Sequence, residues 1–144
     1  LNLGLESLHV RMARHCENGQ AVAEYLQNHP KIAWVRYSGL PGDPYYAVAQ
    51  KYLPKGSCGV VSFGVKGGRQ AAETFMGRLR LGAIATHVAD ARTCCLHPAS
   101  STHRQMNDAE LAAAGVSADL VRLSVGLESK EDLIADLEQA LNAM

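Results

Sequence analysis

The 144-residue sequence has no excess of charge of either sign and no long apolar run. Its 14 Lys and Arg residues balance its 14 Asp and Glu residues, so the formal net charge is zero. This balance argues against nucleic acid or an anionic membrane as the main partner, because both attract clustered positive charge. No apolar run approaches the roughly 20 residues of a membrane-spanning helix. Since 47% of the residues are hydrophobic, one domain with its own core is expected.

The four cysteines lack the spacing of a metal or redox motif. No pair is separated by two residues, so we expect neither a zinc ribbon nor a thioredoxin-type site. Cys94 and Cys95 are adjacent in an apolar stretch, and on a strand they would point to opposite faces. We interpret the cysteines as reduced packing residues of a cytoplasmic protein. A redox pair is the alternative.

Apolar periodicity predicts alternating helices and short strands. A stripe that includes Leu8, Met12 and Val22 predicts one long helix over 3–28, ended by Pro30. Further helices are expected over 45–52, 69–79, 107–114 and from 129 onward, and strands over 32–37, 59–66, 83–88, 93–96 and 120–127. Ser129 and Asp132 have the spacing of a capping box. The order predicts an α+β fold: one largely antiparallel sheet with helices on one face.

The strand at 120–127 has one apolar face, and Arg122 lies on the other. Because side chains alternate along a strand, Arg122 falls beside Ser124 and Gly126, away from Val121 and Leu123. A guanidinium there offers two parallel donors that suit a carboxylate. The alternative is an exposed arginine paired with a neighbouring Asp or Glu.

Other polar residues point less clearly to a site. His97 and His103 lie six apart around a proline, a spacing that favours hydrogen bonds to the loop backbone over a metal site. Gly67 and Gly68 suit a tight turn better than a phosphate cradle. No nucleophile, base and orienting group occur at usable spacing. If the chain belongs to an enzyme, most of the chemistry therefore lies elsewhere.

Five stretches in chain order point to a family: GLESLHVRMARHCENGQAVAEYL, YSGLPGDPYYAVAQKYLPKG, FGVKGG, VADARTCCLHPASSTH and LVRLSVGLE. Together they resemble the C-terminal region of the Cys/Met-metabolism enzymes that depend on pyridoxal phosphate (PLP). That family includes O-acetylhomoserine sulfhydrylase, methionine γ-lyase, cystathionine γ-synthase and the cystathionine lyases. The resemblance covers essentially the whole chain, and HPASSTH with VRLSVGLE is its most specific part.

The resemblance implies that residues 1–144 form the small C-terminal domain of a type I PLP-dependent transferase fold, with 1–29 as the interdomain helix. In that family a large domain binds PLP through a lysine Schiff base. None of the five lysines here matches that motif, so the large domain is expected to precede Leu1. A chain that starts in a helix without Met agrees with an excised, inactive piece. The full-length protein is expected to be a homotetramer.

The resemblance also assigns two residues to the substrate. The arginine of the VRLSVGLE motif, here Arg122, binds the substrate α-carboxylate in the family. His87 stands where the lyases carry a serine near the substrate and where sulfhydrylase-type relatives often carry Asn. His87 would contact the substrate carboxylate or tune the cofactor; the alternative is a histidine packed in a strand. No catalytic, cofactor-binding or metal-binding residue is expected in this chain.

The branch of the family that the HPASSTHRQM stretch and His87 favour is O-acetylhomoserine sulfhydrylase. Its reaction is a γ-replacement in which sulfide or a thiol displaces acetate, giving homocysteine or methionine. Methionine γ-lyase and the cystathionine enzymes are the alternatives within the family. A stand-alone interaction module is the alternative outside it, and it would have no large apolar patch on the Arg122 face.

Overall fold

The computed structural model describes residues 1–144, which form six helices and five short strands. A single 3₁₀ turn lies at Pro98–Ser100. No helix is long and apolar enough to span a bilayer. The helices are α1 Asn2–Glu6, α2 Leu8–Gln27, α3 Tyr46–Tyr52, α4 Gly68–Met76, α5 Asp108–Ala113 and α6 Lys130–Asn142, and the strands are β1 Ile32–Arg36, β2 Val60–Val65, β3 Ala83–Ile84, β4 Cys94–Leu96 and β5 Leu120–Ser124.

The strands form one sheet in the order β1-β2-β5-β4-β3. The pairs β1–β2, β2–β5 and β5–β4 are antiparallel, and only the edge pair β3–β4 is parallel. The predicted largely antiparallel α+β sheet is therefore confirmed. Because β5 is central, Arg122 has a neighbour on each side: Ser62 on β2 and Leu96 on β4.

The apolar face of the sheet carries the core. Val121, Leu123 and Val125 are at most 1% exposed, as the alternation predicted. They pack in one cluster with apolar residues of β2 and of helices α2, α4 and α6. Phe63 of β2 meets Phe75 of α4 edge-on, with ring centroids 5.7 Å apart. Full burial of each such side chain contributes about 1.5–3 kcal/mol.

The first predicted helix is broken at Ser7. The Arg11 guanidinium donates to the carbonyl of Gly4, which the Leu8 N–H would use in an unbroken helix. The predicted strand over 83–88 is also too long, because β3 ends at Ile84. At both places an arginine side chain binds a backbone carbonyl: Arg11 binds that of Gly4, and Arg122 binds that of Thr86.

The helix ends largely follow their local sequences. Asn107 and Glu110 form a reciprocal capping box at α5. At α6 only half of the predicted box exists: Ser129 Oγ accepts from the Asp132 N–H at 3.3 Å, but the Asp132 side chain does not accept the Ser129 N–H. The Ser129 hydroxyl donates to Glu131. Gly67 and Gly68, with φ of 105° and 71°, make the tight turn into α4.

Candidate functional site

Arg122 is half-buried on the face of the sheet opposite the core. Its Nη2 donates to the Thr86 carbonyl at 2.9 Å and to the His87 carbonyl at 3.4 Å, and Nη1 donates to no protein atom. Its Nε is buried without a partner. No Asp or Glu forms an ion pair with Arg122, so the paired-arginine alternative is wrong. A guanidinium with unused donors and no counter-charge favours an anionic ligand.

The loop at 85–93 lies along the Arg122 face. The Ala89 N–H donates to Ser124 Oγ at 2.9 Å, and Ala89 has a φ of 60°, which is rare for a residue with a side chain. Asp90 Oδ1 accepts the Arg92 N–H at 2.9 Å. That hydrogen bond, followed by the charges of Arg92 and His87, holds the pKa of Asp90 below its usual value. The loop backbone is thus shaped by hydrogen bonds to β5 and within itself.

His87 lies in this loop with an exposed side chain that makes no hydrogen bond. The alternative of a histidine packed in a strand is therefore wrong, because β3 ends three residues earlier. Only the backbone carbonyl of His87 touches Arg122. A contact between the imidazole and the substrate stays a prediction.

The turn after β5 is held by buried polar residues that the sequence analysis did not identify. His15 Nδ1 lies 2.6 Å from the Val125 carbonyl, and Asn18 Nδ2 donates to the carbonyls of Gly126 and Glu128 at 2.9 and 2.8 Å. His15 and Asn18 interrupt the apolar stripe of α2 and are at most 2% exposed. A polar residue at a buried stripe position was the signal available in the sequence.

The remaining candidates have structural roles. His97 is buried, with Nδ1 2.8 Å from Ser100 Oγ and Nε2 2.9 Å from the Ala118 carbonyl, which lies outside the 97–107 loop. His103 Nδ1 lies 2.9 Å from Thr102 Oγ1, so neither imidazole bonds the backbone of its own loop as predicted. No group of three or more His, Cys, Asp or Glu side chains is close enough to hold a metal ion. Cys94 and Cys95 are free buried thiols on opposite faces, and Cys95 Sγ lies 3.3 Å from Met76 Sδ in the core.

Four of the five lysines of this chain are engaged away from the Arg122 face and do not fit a covalent PLP site there. Lys31 and Lys66 donate to backbone carbonyls, Lys130 pairs with Glu17, and Lys51 lies over a tyrosine ring. None of these contacts involves a residue of the Arg122 face. The Arg122 face therefore offers guanidinium donors to an anion and has none of these four lysines beside it.

Fold and site together define a largely antiparallel α+β domain in which an arginine with an unused Nη1 donor lies on the face of the sheet opposite the core. The chain belongs to the family of Cys/Met metabolism PLP-dependent enzymes, whose family model matches residues 1–142. The resemblance found in the five sequence stretches is thereby confirmed.

Similar proteins support the same family. The chain is 49% identical over 139 residues to O-acetyl-L-homoserine sulfhydrylase 1 of Thermus thermophilus, which covers 96% of this chain and 33% of that protein. It is 45% identical over 141 residues to an L-methionine gamma-lyase of Pseudomonas deceptionensis, covering 98% of this chain and 35% of the relative.

A solved structure from Campylobacter jejuni, described as an O-acetylhomoserine (thiol)-lyase, superposes with a TM-score of 0.90 at 38% identity. It contains a pyridoxyl-lysine monophosphate residue, and the match covers 97% of this chain and 33% of that one. The chain thus spans about a third of the length of the proteins that it matches.

Proposed function

We propose that this chain is the C-terminal domain of a PLP-dependent O-acetylhomoserine sulfhydrylase and that Arg122 binds the substrate α-carboxylate. The full-length enzyme replaces the acetate of O-acetylhomoserine with sulfide or a thiol. PLP, held by the large domain, supplies the electron sink for this chemistry. The role of this chain is to bind and orient the amino acid substrate.

The unpaired donors of Arg122 carry the proposal. Nη1 has no protein partner and no acidic side chain neutralises the guanidinium, so a carboxylate gains a charge-assisted hydrogen bond there. The Thr86 and His87 carbonyls hold Nη2 on one side, which limits how the guanidinium can rotate. A fixed arginine orients the substrate relative to the cofactor, and orientation is a large part of what an enzyme contributes to rate.

The domain assignment rests on coverage and on exposed apolar residues. The relatives are about three times as long as this chain. The first helices expose six large apolar side chains, which supports docking against a large domain of the same protein; they are Leu1, Leu3, Leu5, Leu8, Val10 and Met12. The proposal includes a homotetramer for the full-length enzyme. It also includes a cytoplasmic location, which four free thiols support.

The sulfhydrylase reaction is preferred because relatives of that activity are 48–49% identical to this chain. Methionine γ-lyase is the second candidate, since relatives with that name reach 43–45% identity. Both reactions use a substrate with an α-carboxylate, so the role proposed for Arg122 is the same in each. His87 is proposed as a second contact near that carboxylate.

Replacing Arg122 in the full-length enzyme tests the proposal. Loss of a charge-assisted carboxylate contact of about 1.5–3 kcal/mol lowers kcat/KM for O-acetylhomoserine by about 10- to 100-fold in Arg122→Ala. Arg122→Lys keeps the charge without the planar fork, so it falls between the wild type and Arg122→Ala. KM for sulfide should change little, because sulfide has no carboxylate.

Arg78→Ala is the matched control, because Arg78 is an exposed arginine that follows α4 and forms no ion pair. It should keep the wild-type kcat/KM. An Arg122→Ala enzyme with wild-type kcat/KM for O-acetylhomoserine would show that Arg122 does not bind the substrate.

A further inference from the structure

We propose that Thr93 and Glu128 are positioning residues for Arg122. Neither touches Arg122; they hold the 85–93 loop, whose carbonyls hold the guanidinium. The inference rests on the proposed role of Arg122 in carboxylate binding. It adds the residues that set where Arg122 lies.

The contact between Glu128 and Thr93 closes the loop onto β5. Glu128 Oε1 accepts the Thr93 N–H at 2.7 Å, and Oε2 accepts the Thr93 hydroxyl at 2.9 Å. Thr93 Oγ1 in turn accepts the Gly126 N–H at 2.8 Å. Thr93 is 2% exposed, so these bonds are shielded from water. The Thr93 hydroxyl is thus both donor and acceptor in one buried junction.

Gly126 leaves the space that this junction needs. A Cβ at position 126 would lie 2.4 Å from Glu128 Oε2, 2.5 Å from the Thr93 nitrogen and 2.6 Å from the Ala91 carbonyl oxygen. Any side chain there would push the Glu128 carboxylate and the 91–93 segment away from the strand. The junction therefore depends on direct contact between the backbone of 91–93 and the end of β5.

The other side of the same turn is fixed by α2. The Asn18 side chain donates to the carbonyls of Gly126 and Glu128, and His15 lies within hydrogen-bonding distance of the Val125 carbonyl. The end of β5 is therefore held in place by α2. If the junction at Thr93 opens, the exposed loop is the part that moves, since the strand is held by the helix and by both neighbouring strands.

A few hydrogen bonds connect the Thr93 junction, through the 85–93 loop, to Arg122. The Leu127 N–H donates to the Ala91 carbonyl at 2.8 Å, and the Ala89 N–H donates to Ser124 Oγ at 2.9 Å. The carbonyls of residues 86 and 87 then accept from Arg122 Nη2. The side chains of 86–89 are exposed, so these few hydrogen bonds, rather than packing, hold the loop.

The test compares Thr93→Val with Thr93→Ser in the full-length enzyme. Valine keeps the shape of threonine but removes the hydroxyl, whereas serine keeps the hydroxyl. We expect Thr93→Val to raise KM for O-acetylhomoserine by about 5- to 30-fold, the equivalent of one or two hydrogen bonds, with a smaller change in kcat. Thr93→Ser should stay within about twofold of wild type. Glu128→Gln, which retains one acceptor, should shift KM in the same direction by less.

A double-mutant cycle separates positioning from general damage. In an Arg122→Ala background, Thr93→Val should change KM by less than about twofold, because the residue that it positions is gone. If Thr93→Val has the same effect in both backgrounds, the positioning inference is wrong while the role of Arg122 stands. If Arg122→Ala itself leaves kcat/KM unchanged, the proposed function fails, and the inference fails with it.

A measurement without substrate gives a second readout. In Thr93→Val the Ala89 amide should exchange its hydrogen with solvent at least about tenfold faster than in wild type, while amides of β5 keep their protection. Unchanged exchange at Ala89, or unchanged KM in both Thr93→Val and Glu128→Gln, would overturn the inference.

Discussion

Asp136 of α6 is a buried carboxylate whose removal should strongly destabilise the chain. It is 8% exposed. Its Oδ1 accepts the Arg80 N–H at 2.9 Å, and its Oδ2 accepts the N–H groups of Leu81 and Gly82 at 3.0 and 2.9 Å. Gln139 Nε2 also donates to Oδ1 at 3.0 Å. One side chain thus accepts three consecutive backbone N–H groups of the segment that leads into β3.

Asp136→Asn keeps the shape of the side chain and changes only its chemistry. The amide oxygen still accepts from Leu81 and Gly82, but the amide nitrogen faces the Arg80 N–H, which is left without an acceptor. An unsatisfied buried donor costs about 1–3 kcal/mol, and neutral acceptors bind about half as strongly as charged ones. The expected loss is about 2–3 kcal/mol. At about 3 °C per kcal/mol for a chain of this size, Tm falls by about 6–9 °C.

Urea denaturation of the 144-residue chain measures this loss, with Trp34 as the single tryptophan reporter and far-ultraviolet circular dichroism as the second probe. Glu138→Gln is the control, because Glu138 is an exposed carboxylate on the same helix that makes no hydrogen bond. It should change the free energy of unfolding by less than about 0.5 kcal/mol. Equal stabilities for Asp136→Asn and Glu138→Gln would refute the reasoning.

Two further predictions concern titratable side chains. If His87 contacts the substrate, His87→Ala in the full-length enzyme changes the pH dependence of kcat/KM, whereas an unchanged pH profile would show that it does not. Burial raises the pKa of the Cys95 thiol, and burial together with Cys58 raises that of Cys16, so both hold less thiolate at neutral pH than a free cysteine. In the folded chain Cys95 should therefore resist alkylation, and Cys16 should react only as the pH rises above the range of a free thiol. Mass spectrometry of peptides labelled with and without urea checks both expectations. Equal labelling of Cys95 with and without urea would contradict the first.

The alternation of apolar residues in β5 predicts which face of the strand carries Arg122. Val121, Leu123 and Val125 are buried as predicted, and the opposite face carries Arg122 and Ser124. Burial follows the two-residue period only around Arg122, which is half-buried between buried Val121 and Leu123. Ser124 and Gly126 lie on the face opposite the core and are buried as well. The stripe of α6 was predicted less well, since Asp136 is buried and Ile134 is not fully so.

The periodicity of apolar residues does not predict the backbone conformation of the 85–93 loop. Its apolar and β-branched residues favour a strand through Val88, yet pairing ends at Ile84. The hydrogen bonds that replace the ladder join Ala89 to Ser124 and Arg122 to Thr86, across 35 or 36 residues. Local propensity carries no information on such distant partners, so tertiary contacts decided the backbone here.

The partners of the buried polar residues around β5 also cannot be predicted from local sequence. His15 and Asn18 bind backbone carbonyls 108 to 110 residues away, and Thr93 accepts a backbone N–H. Every residue has a backbone carbonyl, so the residue types in the sequence do not reveal which carbonyl a buried side chain will bind. The sequence does show that a polar group sits where burial is expected, and such a group must find a partner. All four of these backbone partners lie just after β5, so the polar interruptions of the apolar stripe of α2 point to the strand end beside the candidate site.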